Sequence, residues 1–129
     1  RHSEVQRAAL MVSDLAVLPC GPTPVDAWAL AESVDLVRAA LEIRPGLLAR
    51  VLITRKGVRT ILGTSARAAL DGCGLPMLSS ELSYRVTYQE APAAGLGITR
   101  YAPRSPAATE VRALTDELDA LEVHSHESS

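Results

Sequence analysis

Three short apolar runs separated by helical patterns constrain this chain more than any other feature of it. Leu15 to Leu18 is continuous, Arg50 to Arg55 carries Val51-Leu52-Ile53, and Met77-Leu78 begins a third, weaker run. Such runs leave no polar face for water, which suits parallel strands buried on both sides. Between them lie stretches long enough for one helix each. The order β, α, β, α, β with these connections implies right-handed crossovers and a parallel sheet covered by helices on both faces. The fold class is α/β.

Local signals place the helices. Ser3 with Gln6 three residues on makes a capping box, and Val5, Ala8, Ala9 and Val12 follow at helical spacing, so residues 4–12 read as a helix. After the first strand the chain turns through Pro19, Gly21 and Pro22. Thr23 then caps the next helix, with Pro24 at its first position and Asp26 reaching back from the third. That helix runs to about Glu42, with Val25, Trp28, Ala31, Val34, Val37 and Leu41 expected inward, and Arg44-Pro45-Gly46 stops it. Another starts at Thr60 or Gly63, turns Leu62, Ala66, Ala69, Leu70 and Cys73 inward, and is closed by Gly72 and Gly74. Ser105 and Pro106 open the last helix, whose apolar positions Val111, Leu114, Leu118 and Leu121 are spaced three, four, three.

The chain of 129 residues, 47% hydrophobic, is one domain's worth and can build a core. Its formal net charge of -2 gives no global basic field, so any contact with DNA is local. Cys20 and Cys73 form no metal-ligand spacing and read as reduced, buried thiols of a cytosolic protein. No zinc site is expected. His2, His124 and His126 are all terminal, which leaves no base for a Ser-His or Cys-His nucleophile pair. Glu32 and Asp35 read as the polar face of their helix, and Asp14 as a helix-to-strand turn residue. No stretch approaches the roughly 20 apolar residues of a membrane span, and the N-terminus lacks signal-peptide form.

Three segments carry a resemblance. "DLAVLPCGPTPVDAWALAESVDLV", "ARVLITRK" and "SYRVTYQEAPAAGLGITRYAPRSPAATEVRALTDEL" resemble, in that order, the second half of the ParA-type partition ATPases, deviant Walker-box P-loop NTPases that segregate plasmids and chromosomes. The resemblance covers residues 5–121; residues 122–129 read as a polar, flexible tail. It implies the C-terminal half of a P-loop (SIMIBI, ParA-like) fold that, when intact, binds ATP and Mg²⁺ and dimerises face to face. It also implies non-specific DNA binding, a ParB-type partner, and a cytoplasmic protein associated with the nucleoid.

The chain departs from the family where phosphate is held. A P-loop needs a glycine-rich turn, a lysine on the β/γ oxygens and a Ser/Thr on the metal. Here Lys56 is the only lysine, and no G-x-x-x-x-G-K-[ST] surrounds it. The chain reads as starting after the family's second switch, so no catalytic residue, bound cofactor or ATPase activity is expected of it alone.

What the resemblance assigns to it is the rest of the site. Thr54 and Arg55, where many relatives carry Asn-Arg, face the adenine edge together with Pro103 and Arg104. A threonine hydroxyl reads a base less fully than an amide. Pro22, Pro24 and Asp26 belong to the dimer surface, or are simply a rigid turn and cap. Lys56, Arg59, Arg67 and Arg85 offer a weak DNA-contact patch, with solubilising arginines as the alternative; the loop at Pro103 and Arg104 has the alternative of a solvent-exposed cap. Tyr84 and Tyr88 read as a half-buried helix face.

Two readings of the whole follow. One is part of a ParA-family ATPase acting in plasmid or chromosome partition, working with itself or a full-length subunit. The other is a stand-alone truncated module that dimerises with and regulates a complete relative. A membrane-positioning role is disfavoured, because the C-terminal Leu121-Glu122-Val123-His124 is not a basic amphipathic helix.

Overall fold

The computed structural model describes the backbone of residues 2–57 and 67–128 and the side chains of residues 4–57 and 67–122. The elements are α1 (His2–Val12), β1 (Leu15–Cys20), α2 (Pro24–Ile43), β2 (Leu48–Lys56), β3 (Met77–Ser83), α3 (Thr87–Ala93), α4 (Ile98–Tyr101) and α5 (Pro106–Ser128). Residues 67–70 are helical. The strands form one parallel sheet in the order β1-β2-β3, flanked by helices, as the alternation of apolar runs and helical patterns requires. Leu62, Ala66 and Arg59 lie outside the described residues.

The register starts at Leu15 opposite Leu48 and runs to Cys20 opposite Ile53. Sequence order and sheet order coincide, so right-handed crossovers put both connections on one face. The core agrees with this. Leu18, Ala49, Val51 and Ile53 turn toward Leu30, Val34 and Val37 of α2 and toward Leu70. Gly74 has φ of 110° and packs against Val34 and Arg38, closing the turn that delivers β3. Arg44, just past α2, donates to the carbonyls of Leu10 and Ser13 at 2.6 and 2.7 Å and so ties the end of α1 to the end of α2.

The face of α2 corrects the sequence expectation. Val34 and Val37 are buried as expected, but Val25 and Trp28 are 69% and 74% exposed, and Leu30 and Ala40 take the inward places. The reason is geometric. Successive steps of three residues fall about 60° short of a turn each time, so a run at 25, 28, 31, 34 and 37 winds around the helix. Steps of four, three and four through Leu30, Val34, Val37 and Leu41 stay on one face.

β3 is longer than the two apolar residues that announce it, and its polar half is held by α5. Glu117 accepts from the backbone N–H of Ser79 and Ser80 at 2.7 and 2.8 Å, and Glu110 accepts from that of Ser83 at 3.2 Å. These carboxylates satisfy donors that an outer strand would otherwise expose. Ala107 and Ala108 are fully buried at the start of α5, and Val111, Leu114, Leu118 and Leu121 are half-buried as their spacing suggests.

Candidate functional site

Parallel strands carry ligands beyond their carboxyl ends; here β1 ends at Cys20, opposite Ile53, and β2 runs three residues further to Lys56. The corner from Gly21 to Asp26 closes over that end. Thr23 caps α2: its hydroxyl accepts from the Asp26 N–H at 3.1 Å, and the Asp26 carboxylate accepts from the Thr23 N–H at 3.0 Å. The same carboxylate accepts from the Arg55 guanidinium of β2 at 2.6 Å. One side chain therefore joins the proline corner to the end of the neighbouring strand.

Two backbone features show how tightly this clasp is built. Arg55 has φ of 52°, a left-handed conformation that costs a non-glycine residue about 1 kcal/mol or more. Gly21 is buried against the pair: a Cβ there would stand 2.6 Å from the Asp26 carboxylate and overlap the Arg55 guanidinium. The hydroxyl and N–H of Thr23, then Arg55, hold the Asp26 carboxyl below its usual range. Beside it, burial chiefly, then the negative charge of Asp26, pushes the Cys20 thiol up, so it is a packed group and not a nucleophile.

The other cations assigned to the site are also paired. Lys56 lies 2.8 Å and Arg67 2.7 Å from the carboxylate of Glu81 on β3, and Arg67 also donates to the Leu78 carbonyl. Burial works to raise the Glu81 carboxyl, but the hydrogen bonds from Lys56 and Arg67 prevail and lower it. Arg85 donates to Glu110 at 3.0 Å, and Glu110 also accepts from the Ser83 hydroxyl and from the phenol of Tyr88 at 2.8 Å. Burial and that carboxylate push the Tyr88 hydroxyl up, so it stays a donor.

The structure thus brings Arg55 together with Asp26, and Lys56 together with Arg67. Arg85 sits past the end of β3 in its own cluster. Thr54 is half-buried in β2, Pro22 half-buried, and Pro24 exposed at the start of α2. Pro103 and Arg104 are exposed in the turn between α4 and α5, and no hydrogen bond or ion pair among the described residues links them to Thr54 or Arg55. Tyr88 is the half-buried helical tyrosine expected, whereas Tyr84 precedes α3 and is 59% exposed.

Sequence reasoning missed four participants. Trp28 and Val25 stand exposed one turn into α2, directly after the corner, and extend its surface with apolar area. Glu81 and Glu110, which neutralise the cations, carry no local signal.

Lys56, the only lysine of the sequence, is engaged by Glu81. Among the described residues no three His, Cys, Asp or Glu side chains converge on a metal site, and no helix is long and apolar enough to cross a membrane.

No protein-family model matches the chain. A distant relative is the maintenance of carboxysome distribution protein A of Halothiobacillus neapolitanus, 23% identical over 106 residues, or 81% of this chain and 49% of that protein. The chain spans about half the length of that relative, and the likeness supports a ParA-like relationship.

Proposed function

We propose that this chain is part of a ParA-family ATPase acting in plasmid, chromosome or cargo positioning, and that it supplies base-pocket wall, dimer surface and a weak DNA-contact surface. The observation that carries the reading is the clasp. It sets the proline corner against the strand end assigned to the base, at the carboxyl edge where a P-loop protein binds its nucleotide. The distant likeness to a carboxysome-distribution protein supports a positioning role of this kind.

In this reading Thr54, Arg55, Pro103 and Arg104 flank adenine. Pro22, Pro24 and Asp26, with Trp28 as the aromatic anchor, meet the partner subunit. ATP and Mg²⁺ are held by residues this chain does not carry, so it shapes the site without performing the phosphoryl chemistry. The DNA surface is weak for a stated reason: Arg55, Lys56, Arg67 and Arg85 face the carboxylates of Asp26, Glu81 and Glu110, four charges against three. A logarithmic salt slope near the value for one phosphate, about -0.9, is expected.

Joining the chain at residue 1 to a P-loop half that carries both lysines tests the reading. Mg-ATP hydrolysis by the joined protein, lost without that half, is the expected result. A joined protein that folds yet neither binds nor hydrolyses ATP removes the proposal.

A further inference from the structure

Arg55 stands at an irregularity of the sheet as well as in a strained conformation. Ile53 lies opposite Glu81 and Lys56 opposite Ser83, so β2 takes three steps where β3 takes two, and one extra residue is inserted at Thr54 and Arg55. A bulge of this kind bends its strand and re-aims a side chain, and its left-handed residue is ordinarily a glycine. Here the left-handed residue, with φ of 52°, is an arginine. A strained residue persists only where its surroundings hold it, and such strain collects at functional positions.

What holds Arg55 is the proline corner. One oxygen of Asp26 accepts from the Arg55 guanidinium, while the other accepts from the N–H and the hydroxyl of Thr23. The pair is asymmetric: the Asp26 side chain is 19% exposed and fixed by the cap of α2, whereas the Arg55 side chain is 59% exposed. Gly21 makes the room, since a Cβ there would overlap the guanidinium. Beyond the bulge the ladder resumes, with the Tyr84 N–H donating to the Lys56 carbonyl at 2.9 Å.

We propose that bulge and clasp form a latch. Asp26 is a positioning residue that holds Arg55 in its left-handed conformation; when the pair opens, the backbone at Arg55 leaves that conformation and β2 loosens from β3 at Lys56. The latch rests on the reading in which Arg55 faces the base and the corner meets a partner subunit, and it adds the regulation of that site. A subunit seated on Pro24 and Trp28 fixes the start of α2, and with it Asp26, so Arg55 stays where the base needs it. By reciprocity, a base that engages Arg55 favours the form of the corner that the subunit binds.

The test needs neither nucleotide nor partner, so its failure is distinct from a failure of the ATPase reading. Amide hydrogen exchange of the full chain, followed by NMR, compares the Tyr84 N–H with that of Val51, which bonds to the Pro76 carbonyl further back on the same pair of strands. Arg55→Ala removes the clasp and keeps the strain, whereas Arg55→Gly removes both. A left-handed backbone disfavours alanine against glycine by about five- to thirtyfold, so Tyr84 should exchange faster by about that factor in Arg55→Ala than in Arg55→Gly. Asp26→Asn, which keeps an oxygen for the Thr23 N–H but gives up the charge, and Gly21→Ala, which puts a methyl group where the guanidinium lies, should speed Tyr84 exchange as Arg55→Ala does. Val51 should keep its parent rate in every variant. Should Asp26→Asn or Gly21→Ala fail to fold, the contrast between alanine and glycine at position 55 decides. Equal Tyr84 rates for those two overturn the proposal, as does a parent-like Tyr84 rate in folded Asp26→Asn. A Val51 rate that rises in step with that of Tyr84 also overturns it, because the sheet would then open as one unit.

Discussion

Replacing Glu110 tests what holds the polar half of the sheet in place. Its carboxylate accepts from the Ser83 N–H and hydroxyl, from Arg85 and from Tyr88, and the Arg85 and Glu110 side chains are only 27% and 18% exposed. Hydrogen bonds to a charged acceptor contribute about 1.5–3 kcal/mol each, and stranding a buried donor costs about 1–3. Arg85 and Tyr88 can turn partly to water after Glu110→Ala, but the Ser83 N–H, on a residue 9% exposed, cannot. The net expectation is about 3 kcal/mol, which lowers the melting temperature by about 10 °C for a domain of this size. Glu110→Gln keeps one acceptor oxygen and should cost about half as much. Urea unfolding with linear extrapolation measures both, and Asp119→Ala, on the exposed side of α5, should stay within about 0.5 kcal/mol as a control. A loss below about 1 kcal/mol for Glu110→Ala would mean that apolar packing of Ala107 and Ala108 alone fixes α5 to β3, and the carboxylate argument would fail.

Acid should unfold the protein through its paired carboxylates: Glu81, Glu110 and Glu117 have folded-state values below the ordinary 4.5, because hydrogen bonds to each outweigh the opposing effect of burial. Their contribution is complete above the unfolded value and is lost as pH falls through the lowered folded values, so a urea midpoint measured from pH 6 downward should fall below about pH 4.5, and a flat profile to about pH 3 would contradict the pairing. Arg55→Met should raise the Asp26 carboxyl toward its ordinary value in a carbon-detected NMR titration; no movement would mean that Thr23 alone sets it. Trp28→Ala should leave stability within about 0.5 kcal/mol yet weaken association with a partner subunit at the corner, and unchanged association would remove Trp28 from that surface. A thiol reagent should label Cys73 in the native protein while sparing Cys20, which is 2% exposed; equal rates would show that Cys20 is not packed as described.

What could be read from the sequence was what short-range chemistry dictates. Thr23, Pro24 and Asp26 announce the start of α2 because the cap is made within three residues, and the runs at Leu15 and Val51 announce strands because nothing in them can face water. Gly72 and Gly74, with φ of 82° and 110°, mark a turn that requires glycine. The clasp was not readable, since Asp26 and Arg55 are 29 residues apart and meet only through the register of β1 on β2. The pairing of Lys56 and Arg67 with Glu81 was hidden for the same reason. Trp28 was misplaced by a subtler cause: apolar side chains spaced by three suggest one face locally but drift off it over several turns. Where β3 loses its apolar character after Leu78, its strand identity comes from α5, 27 to 38 residues further on, and a local pattern could not supply it.

The Asp26 carboxylate also determines which ligands the corner can accept. A helix begins with a partial positive charge, roughly half a unit, made by its unbonded N–H groups, and in many proteins that charge draws in a phosphate. In α2 that place is filled from within, since Asp26 answers the backbone at Thr23 and then reaches Arg55. An approaching anion would meet a carboxylate already seated where it should bind. The helix start is therefore an electrostatically closed door, and the surface beside it, with Pro24, Val25 and Trp28, is left to recognise shape and apolar area, not charge.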